Sequence, residues 1–276
     1  MWKRWLLILV LLLIILVSGC IEFRDIGAGK SLEECNILKK QYEELANDYN
    51  RLWDEYNSLL DKYSALKMDL GFAKLPPYVV IENRTVNIIF KTSKGGLHVW
   101  FVPIETLELT IIRGYYERKN LQYKILKNEK MGEFYRVVDV SRFIDDRSFS
   151  KVMPELYKEL NSDEAFIQEV WYIATQLTVY HPELEEIPRF PIETLIGGGG
   201  DCEDIAILIA SMLKAAQANY IVKIVYMDSE NPSEPKKVNH AIVWVETPSG
   251  YKTFVDGTCK ESISPFTEVS GWYLEV

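Results

Sequence analysis

The stretch that most constrains the fold of this 276-residue chain is Gly197-Gly198-Gly199-Gly200-Asp201-Cys202-Glu203-Asp204, where a glycine run meets a helix start. Four residues without a Cβ permit turns of positive φ and close approach of the backbone to its neighbours. Asp201 reads as an N-cap, and Ile205, Ala206, Ile209, Met212, Leu213 and Ala216 follow at the spacing of a buried helix. Cys202 then occupies the first helical position. Unpaired N–H groups and the positive end of the helix dipole favour thiolate there, although Glu203 and Asp204 compete for the same field. A buried cysteine filling a gap between helix and sheet is the alternative that these residues leave open.

Downstream, Val238 to Glu246, then Thr247-Pro248-Ser249, then Gly250 to Asp256 read as a hairpin with a three-residue loop. Symmetric closure pairs Glu246 with Gly250 and sets His240 directly opposite Asp256. Cβ atoms ~5 Å apart on one face let a carboxylate hold an imidazole tautomer. A slip of one residue would put the two on opposite faces. A cysteine, a histidine that activates it and an acid that orients the histidine form a nucleophile, base and orienter.

Phe190-Pro191-Ile192-Glu193-Thr194-Leu195, the glycine run with Asp201-Cys202-Glu203-Asp204, Asn239-His240-Ala241 and Phe254-Val255-Asp256-Gly257 stand in that order. On these motifs, over roughly residues 135–260, the chain resembles the transglutaminase-like superfamily of papain-fold thiol enzymes. The resemblance implies an α+β core, in which a helix carrying the cysteine packs on an antiparallel sheet carrying the histidine and the acid. It implies Cys202 as nucleophile, His240 as base and Asp256 as orienter. The superfamily includes cross-linkers, peptidases, amidases and inactive members, so it names no substrate.

In papain-fold enzymes a side chain upstream of the cysteine joins the cysteine's own N–H at the oxyanion. Trp171 and Gln176 are the candidates, since both lie outside the stripe Phe166, Val170, Ile173 and Leu177 of a helix read over Asp163 to Tyr180 behind Ser162. Surface placement is the other reading of Gln176. Gly200 and Asp201 are read as lining the cleft, with the loop His181 to Glu186 as one wall and His181 as a rival base. Cys259, close after Asp256, is read as a free thiol or a partner that bridges Cys202 under oxidising conditions. Zinc is not expected, because one cysteine and one histidine fall short of its three or four ligands, and no cofactor is expected.

Residues 1–20 read as a signal: Lys3 and Arg4, an apolar run from Trp5 to Val17, then Val17-Ser18-Gly19-Cys20. The last four resemble a lipobox, with Cys20 as the lipidated residue. An uncleaved anchor is the alternative, although the run falls short of the ~20 residues that span a bilayer. Both place the rest of the chain outside the cytoplasm, tethered to the cell membrane. Without that segment the chain keeps 29 basic against 40 acidic residues and no basic patch, which excludes nucleic acid as a partner.

After a short tether at 21–30, residues 31–72 carry heptads. Leu38, Leu45, Leu52, Leu59 and Leu66 take d positions, and Cys35, Tyr42, Tyr49, Tyr56, Tyr63 and Leu70 take a positions. At ~1.5 Å per residue this is a stalk of roughly 54 Å, expected to make the chain a homo-oligomer; a helix folded back on its own domain is the alternative. Residues 73–134 read as a β-rich extension with strands at Tyr78–Glu82, Thr85–Lys91, Leu97–Val102, Leu107–Tyr116 and Leu121–Leu126, ahead of a catalytic domain at 135–276.

The expected function is cleavage or transfer at amide bonds of a peptide or protein substrate through a Cys202 thioester. A catalytically idle scaffold, assembled by its stalk and holding a peptide in the cleft, is the reading from another class.

Overall fold

A computed structural model describes residues 75–182 and 187–276, together with residues 40, 41, 44, 47, 48 and 51 of an N-terminal unit that runs from Met1 to Lys67. In that unit the six described residues are helical and exposed. They occupy the c, f and g positions of the heptads, and Asp48 pairs with Arg51 at 3.1 Å across one turn. Cys20, the signal, the tether and the seam positions of the stalk lie outside the described residues.

The second unit, Met68–Val276, holds a three-stranded and a four-stranded antiparallel sheet beside two two-stranded pairs. Strands β1 (Val79–Glu82), β2 (Thr85–Lys91) and β3 (Leu97–Pro103) form the first in sequential order. Asn83 and Arg84 link β1 to β2 at φ 49° and 59°, a two-residue turn that matches the twist of the paired strands. Alternate residues of this sheet, Val86, Ile88, Phe90, Trp100 and Val102, enter the core.

Helix α1 (Ile104–Lys119) follows where Leu107 to Tyr116 was expected as a strand. Its β-branched and aromatic composition suggests a strand, but the buried residues Ile104, Leu107, Thr110 and Gly114 recur at helical intervals. A hairpin, β4 (Tyr123–Lys127) with β5 (Phe134–Val138), leads to α2 (Val152–Leu160) and α3 (Asp163–Leu177). Ser162 caps α3 by accepting the N–H of Ala165 at 3.3 Å. The helix stops at Leu177, short of the expected Tyr180, because Thr178 is extended and Val179–Tyr180 is strand β6.

Helix α4 (Pro191–Ile196) precedes β7 (Gly199–Gly200), which pairs in parallel with β6. Then comes α5 (Cys202–Ala215), in which every residue from Glu203 to Leu213 is buried. A helix that is apolar nearly all round must be enclosed. Strands β8 (Ile221–Met227) and β9 (His240–Glu246) cover one side of α5, with α3 and α4 against it elsewhere. With β10 (Lys252–Val255) and β11 (Trp272–Glu275) they make the second sheet, in the order β10-β9-β8-β11.

Along β8 and β9 the pleat divides the residues. Val222, Ile224, Val243 and Val245 join the main core, while Val225, Met227 and Ile242 build a smaller cluster with Val269. The main core runs from Val79 in β1 to Leu274 in β11, so both sheets belong to one apolar interior. A fully buried aliphatic side chain such as Ile209 contributes roughly 1.5–3 kcal/mol to it. The mixed α+β class and the cysteine-bearing helix against an antiparallel sheet agree with the sequence reading.

Candidate active site

The start of α5 is built by its cap. One oxygen of Asp201, Oδ1, accepts the N–H groups of Glu203 at 2.9 Å and Asp204 at 3.0 Å. The two acids beside Cys202 are both engaged elsewhere. Glu203 Oε1 accepts the Tyr226 hydroxyl at 2.7 Å, and Asp204 Oδ1 accepts the Arg189 N–H at 2.9 Å with the Arg189 guanidinium 3.5 Å from Oδ2. Burial in low dielectric makes such partners obligatory for a charged carboxylate. Cys202 itself is half-buried.

The same contacts explain two of the glycines. Gly199 has φ +140°, and a Cβ there would fall on the Val179 carbonyl oxygen; at Gly200 a Cβ would fall on the Asp204 carboxylate. Only glycine lets β7 lie this close to β6 and to the first turn of α5. Gly200 and Asp201 are thus the backbone path and the cap that deliver Cys202 to its place.

His240 opens β9 and Asp256 follows the last residue of β10, so both stand at one end of adjacent strands. The register differs from the symmetric three-residue closure. Glu246 pairs with Lys252, not with Gly250. The loop holds itself together over five residues: Thr247 N–H donates to Tyr251 O at 2.9 Å, and Gly250 N–H, at φ +86°, donates to Thr247 O at 2.9 Å. The shift is two residues, so it preserves the face. Extending the ladder puts Asp256 opposite Ile242, diagonal to His240 on the same side, and His240 Nε2 meets Asp256 Oδ2 at 3.0 Å.

Asp256 is itself pinned. Its Oδ1 accepts the Thr258 N–H at 2.9 Å and the Thr258 hydroxyl at 2.7 Å. The buried Trp171 indole N–H straddles the carbonyls of Asp256, at 3.2 Å, and Cys259, at 3.0 Å. Burial alone would raise the Asp256 carboxyl, but the bonds to His240 and Thr258 outweigh it and hold the group below the ordinary carboxylate range. For His240, burial alone would depress the imidazole. Bonds to Asp256 and Cys202, and the negative charge of both, reverse that and push it up to about 9. The bond to Asp256 is the larger of the two influences.

The two upstream candidates bond to main chain rather than to the side chains of this trio. Gln176 is exposed and spent on the first sheet: its Oε1 accepts the Lys91 N–H at 2.9 Å and its Nε2 donates to the Lys91 carbonyl at 3.2 Å. Trp171 directs its donor to the acid turn. Neither is placed as the oxyanion donor expected of it. His181 donates its main-chain N–H to Gly200 O at 2.8 Å and helps line a cavity of about 520 Å³ with Arg118, Ile187, Arg189 and Glu193. Cys259 and Cys202 are both free thiols, and the Cys259 sulfur lies 3.5 Å from Glu261 Oε2. Among the described residues no group of three or more histidines, cysteines or acids is arranged to hold a metal ion.

Sequence reasoning missed Thr258, Arg189 and Tyr226, the partners of Asp256, Asp204 and Glu203. Thr258 alone had a local signal, since a hydroxyl two residues past an aspartate readily closes a turn on it.

Fold and site together define an α+β chain in which a helix-start cysteine meets a histidine and an acid carried by neighbouring strands. No protein-family model matches the chain, and no curated protein does. Two solved structures of LapG from Legionella pneumophila, one of them EGTA-treated, are similar at 17% sequence identity and a TM-score of 0.31. The match covers 45% of this chain and 78% and 79% of those chains.

Proposed function

We propose that this chain is a transglutaminase-like thiol enzyme that acts on amide bonds of peptides or proteins, held outside the cytoplasm at the cell membrane through its N-terminus and assembled through residues 31–72. The observation that carries the chemistry is a half-buried imidazole bonded to Asp256 at 3.0 Å, its pKa pushed up to about 9 by that acid and by Cys202.

In this reading the Cys202 thiolate adds to an amide carbonyl, forming a C–S bond and an oxyanion. The Cys202 N–H is a first-turn donor that Asp201 leaves unused, since the cap takes Glu203 and Asp204, and it serves the oxyanion. The imidazolium of His240 gives its proton to the departing nitrogen as the C–N bond breaks, which leaves an acyl thioester and neutral imidazole. His240 then takes a proton from water, or from an amine, as that nucleophile adds to the thioester. Loss of the thiolate restores the starting pair. Asp256 stays ionised and holds the ring throughout.

The test is chemical. Iodoacetamide added to reduced, folded protein at mildly acid pH should label Cys202 ahead of Cys259, and a glutamine peptide with and without a primary amine should separate transfer from hydrolysis by product mass. Equal labelling of the two cysteines would sink the nucleophile assignment and leave the cleft as a binding site. The tether has its own readout: Cys20→Ala with unchanged mass and detergent partition would rule out a lipid anchor.

A further inference from the structure

The reaction needs a group that holds the substrate's main chain, and the strand beside the nucleophile offers one. In a parallel pair, residues whose N–H and C=O both point to the partner strand alternate with residues whose groups point away. Val179 N–H donates to Gly198 O at 2.9 Å and His181 N–H donates to Gly200 O at 2.8 Å. Those two residues therefore face β7, and Tyr180 between them directs its N–H and C=O to the opposite side. No described residue takes either group, and Val179 and Tyr180 are 53% and 48% exposed.

Tyr180 stands opposite Gly200 in the ladder, two residues ahead of Cys202. Its phenol is pushed above its ordinary value by burial, then by the charges of Cys202 and Asp201. The edge is only two residues long. It presents one donor and acceptor pair, enough to orient an extended chain and far too little to hold a second folded protein.

We propose that Tyr180 is the substrate-positioning residue: its main-chain N–H and C=O pair with an extended peptide laid along the outer edge of β6, a residue or two from the carbonyl that Cys202 attacks. The assignment rests on the thiol-enzyme reading above. It fixes the substrate class as an extended, unfolded peptide segment, because folded helix or turn cannot offer a main-chain pair to a strand edge.

The experiment uses reduced full-length protein and two probes of the same warhead, acetyl-Ala-Ala-Ala chloromethyl ketone and chloroacetone. In both, the Cys202 sulfur displaces chloride and forms a C–S bond, but only the first carries a peptide main chain. The peptide probe should label Cys202 about tenfold faster, as two main-chain hydrogen bonds allow. N-methylation of one particular alanine should abolish that gain on the unaltered protein. Tyr180→Pro, which removes an N–H outside the β6–β7 ladder, should bring the peptide probe down to the chloroacetone rate of the same variant. Tyr180→Phe should keep the gain. A gain that survives N-methylation at every position, or no gain at all, overturns the proposal. If chloroacetone labels Cys202 no faster than Cys259, the nucleophile reading fails and the grip falls with it.

Discussion

The three-stranded and four-stranded sheets of the second unit are both antiparallel and differ in how the polar side chains beside them are used. Around the three-stranded sheet, helix α3 spends polar side chains chiefly on main chain: Gln176 closes both groups of Lys91, and Glu169, buried, accepts the Ser93 N–H at 2.7 Å along with the Ser93 hydroxyl. At the end of the four-stranded sheet, His240 and Asp256 bond to each other, and the ring also holds Cys202. Side chains spent on main chain satisfy the backbone and have nothing left for a reacting atom. Side chains paired with one another, one of them an imidazole raised to about 9, hold a proton that can be moved.

The largest blow to this contrast is His240→Ala. Removing the proton carrier should slow Cys202 alkylation near neutral pH, and any amide turnover, by roughly a hundredfold or more, read by mass spectrometry of the labelled peptide. Asp256→Asn comes next. It takes away the main charge that keeps the imidazole protonated, so the His240 titration should fall from about 9 toward its ordinary value, seen in the imidazole NMR signals.

In the unaltered protein the sign follows from the same shifts. Stability from the raised imidazole is complete below the unfolded value of ~6.5 and is lost as pH climbs through about 9. Stability from the lowered Asp256 is present above the ordinary aspartate value and is lost as pH falls through the folded one. Amide turnover should therefore decline above about pH 9, where the leaving nitrogen has no donor. A profile flat to pH 10.5 would contradict the assignment.

Changes at the other sheet should act on stability and spare the chemistry. Glu169→Ala strands the Ser93 N–H and should cost roughly 1–3 kcal/mol in denaturant unfolding, with Cys202 labelling in the folded protein unchanged. Gln176→Ala, at an exposed site, should cost about 1 kcal/mol or less and also leave labelling untouched. Slowed labelling in the Gln176 variant would return that residue to the oxyanion.

What the sequence made legible follows the range of the forces involved. The start of α5 was readable because its cap, glycine run and apolar spacing all lie within some twenty residues of one another. The shared face of His240 and Asp256 was readable because a strand alternates with period two, and an even shift cannot alter it. The exact register was not, since Thr247, Gly250 and Tyr251 close their own loop before the strands pair. Leu107 to Tyr116 misled because β-branched and aromatic residues there serve a helix whose buried stripe only tertiary packing fixes. Trp171 and Gln176 each find partners 85 residues away or more, a distance over which no local pattern speaks.

Trp171 also has an optical consequence. Its indole is buried, and its one N–H is shared by two carbonyls of the turn that carries Asp256. The excited state of an indole is sensitive to such a bond, so the emission of this single side chain is tied to the position of the acid. Displacement of that turn, by ligand, oxidation of Cys259 or pH, should change the share that Trp171 contributes to the emission of the chain's seven tryptophans.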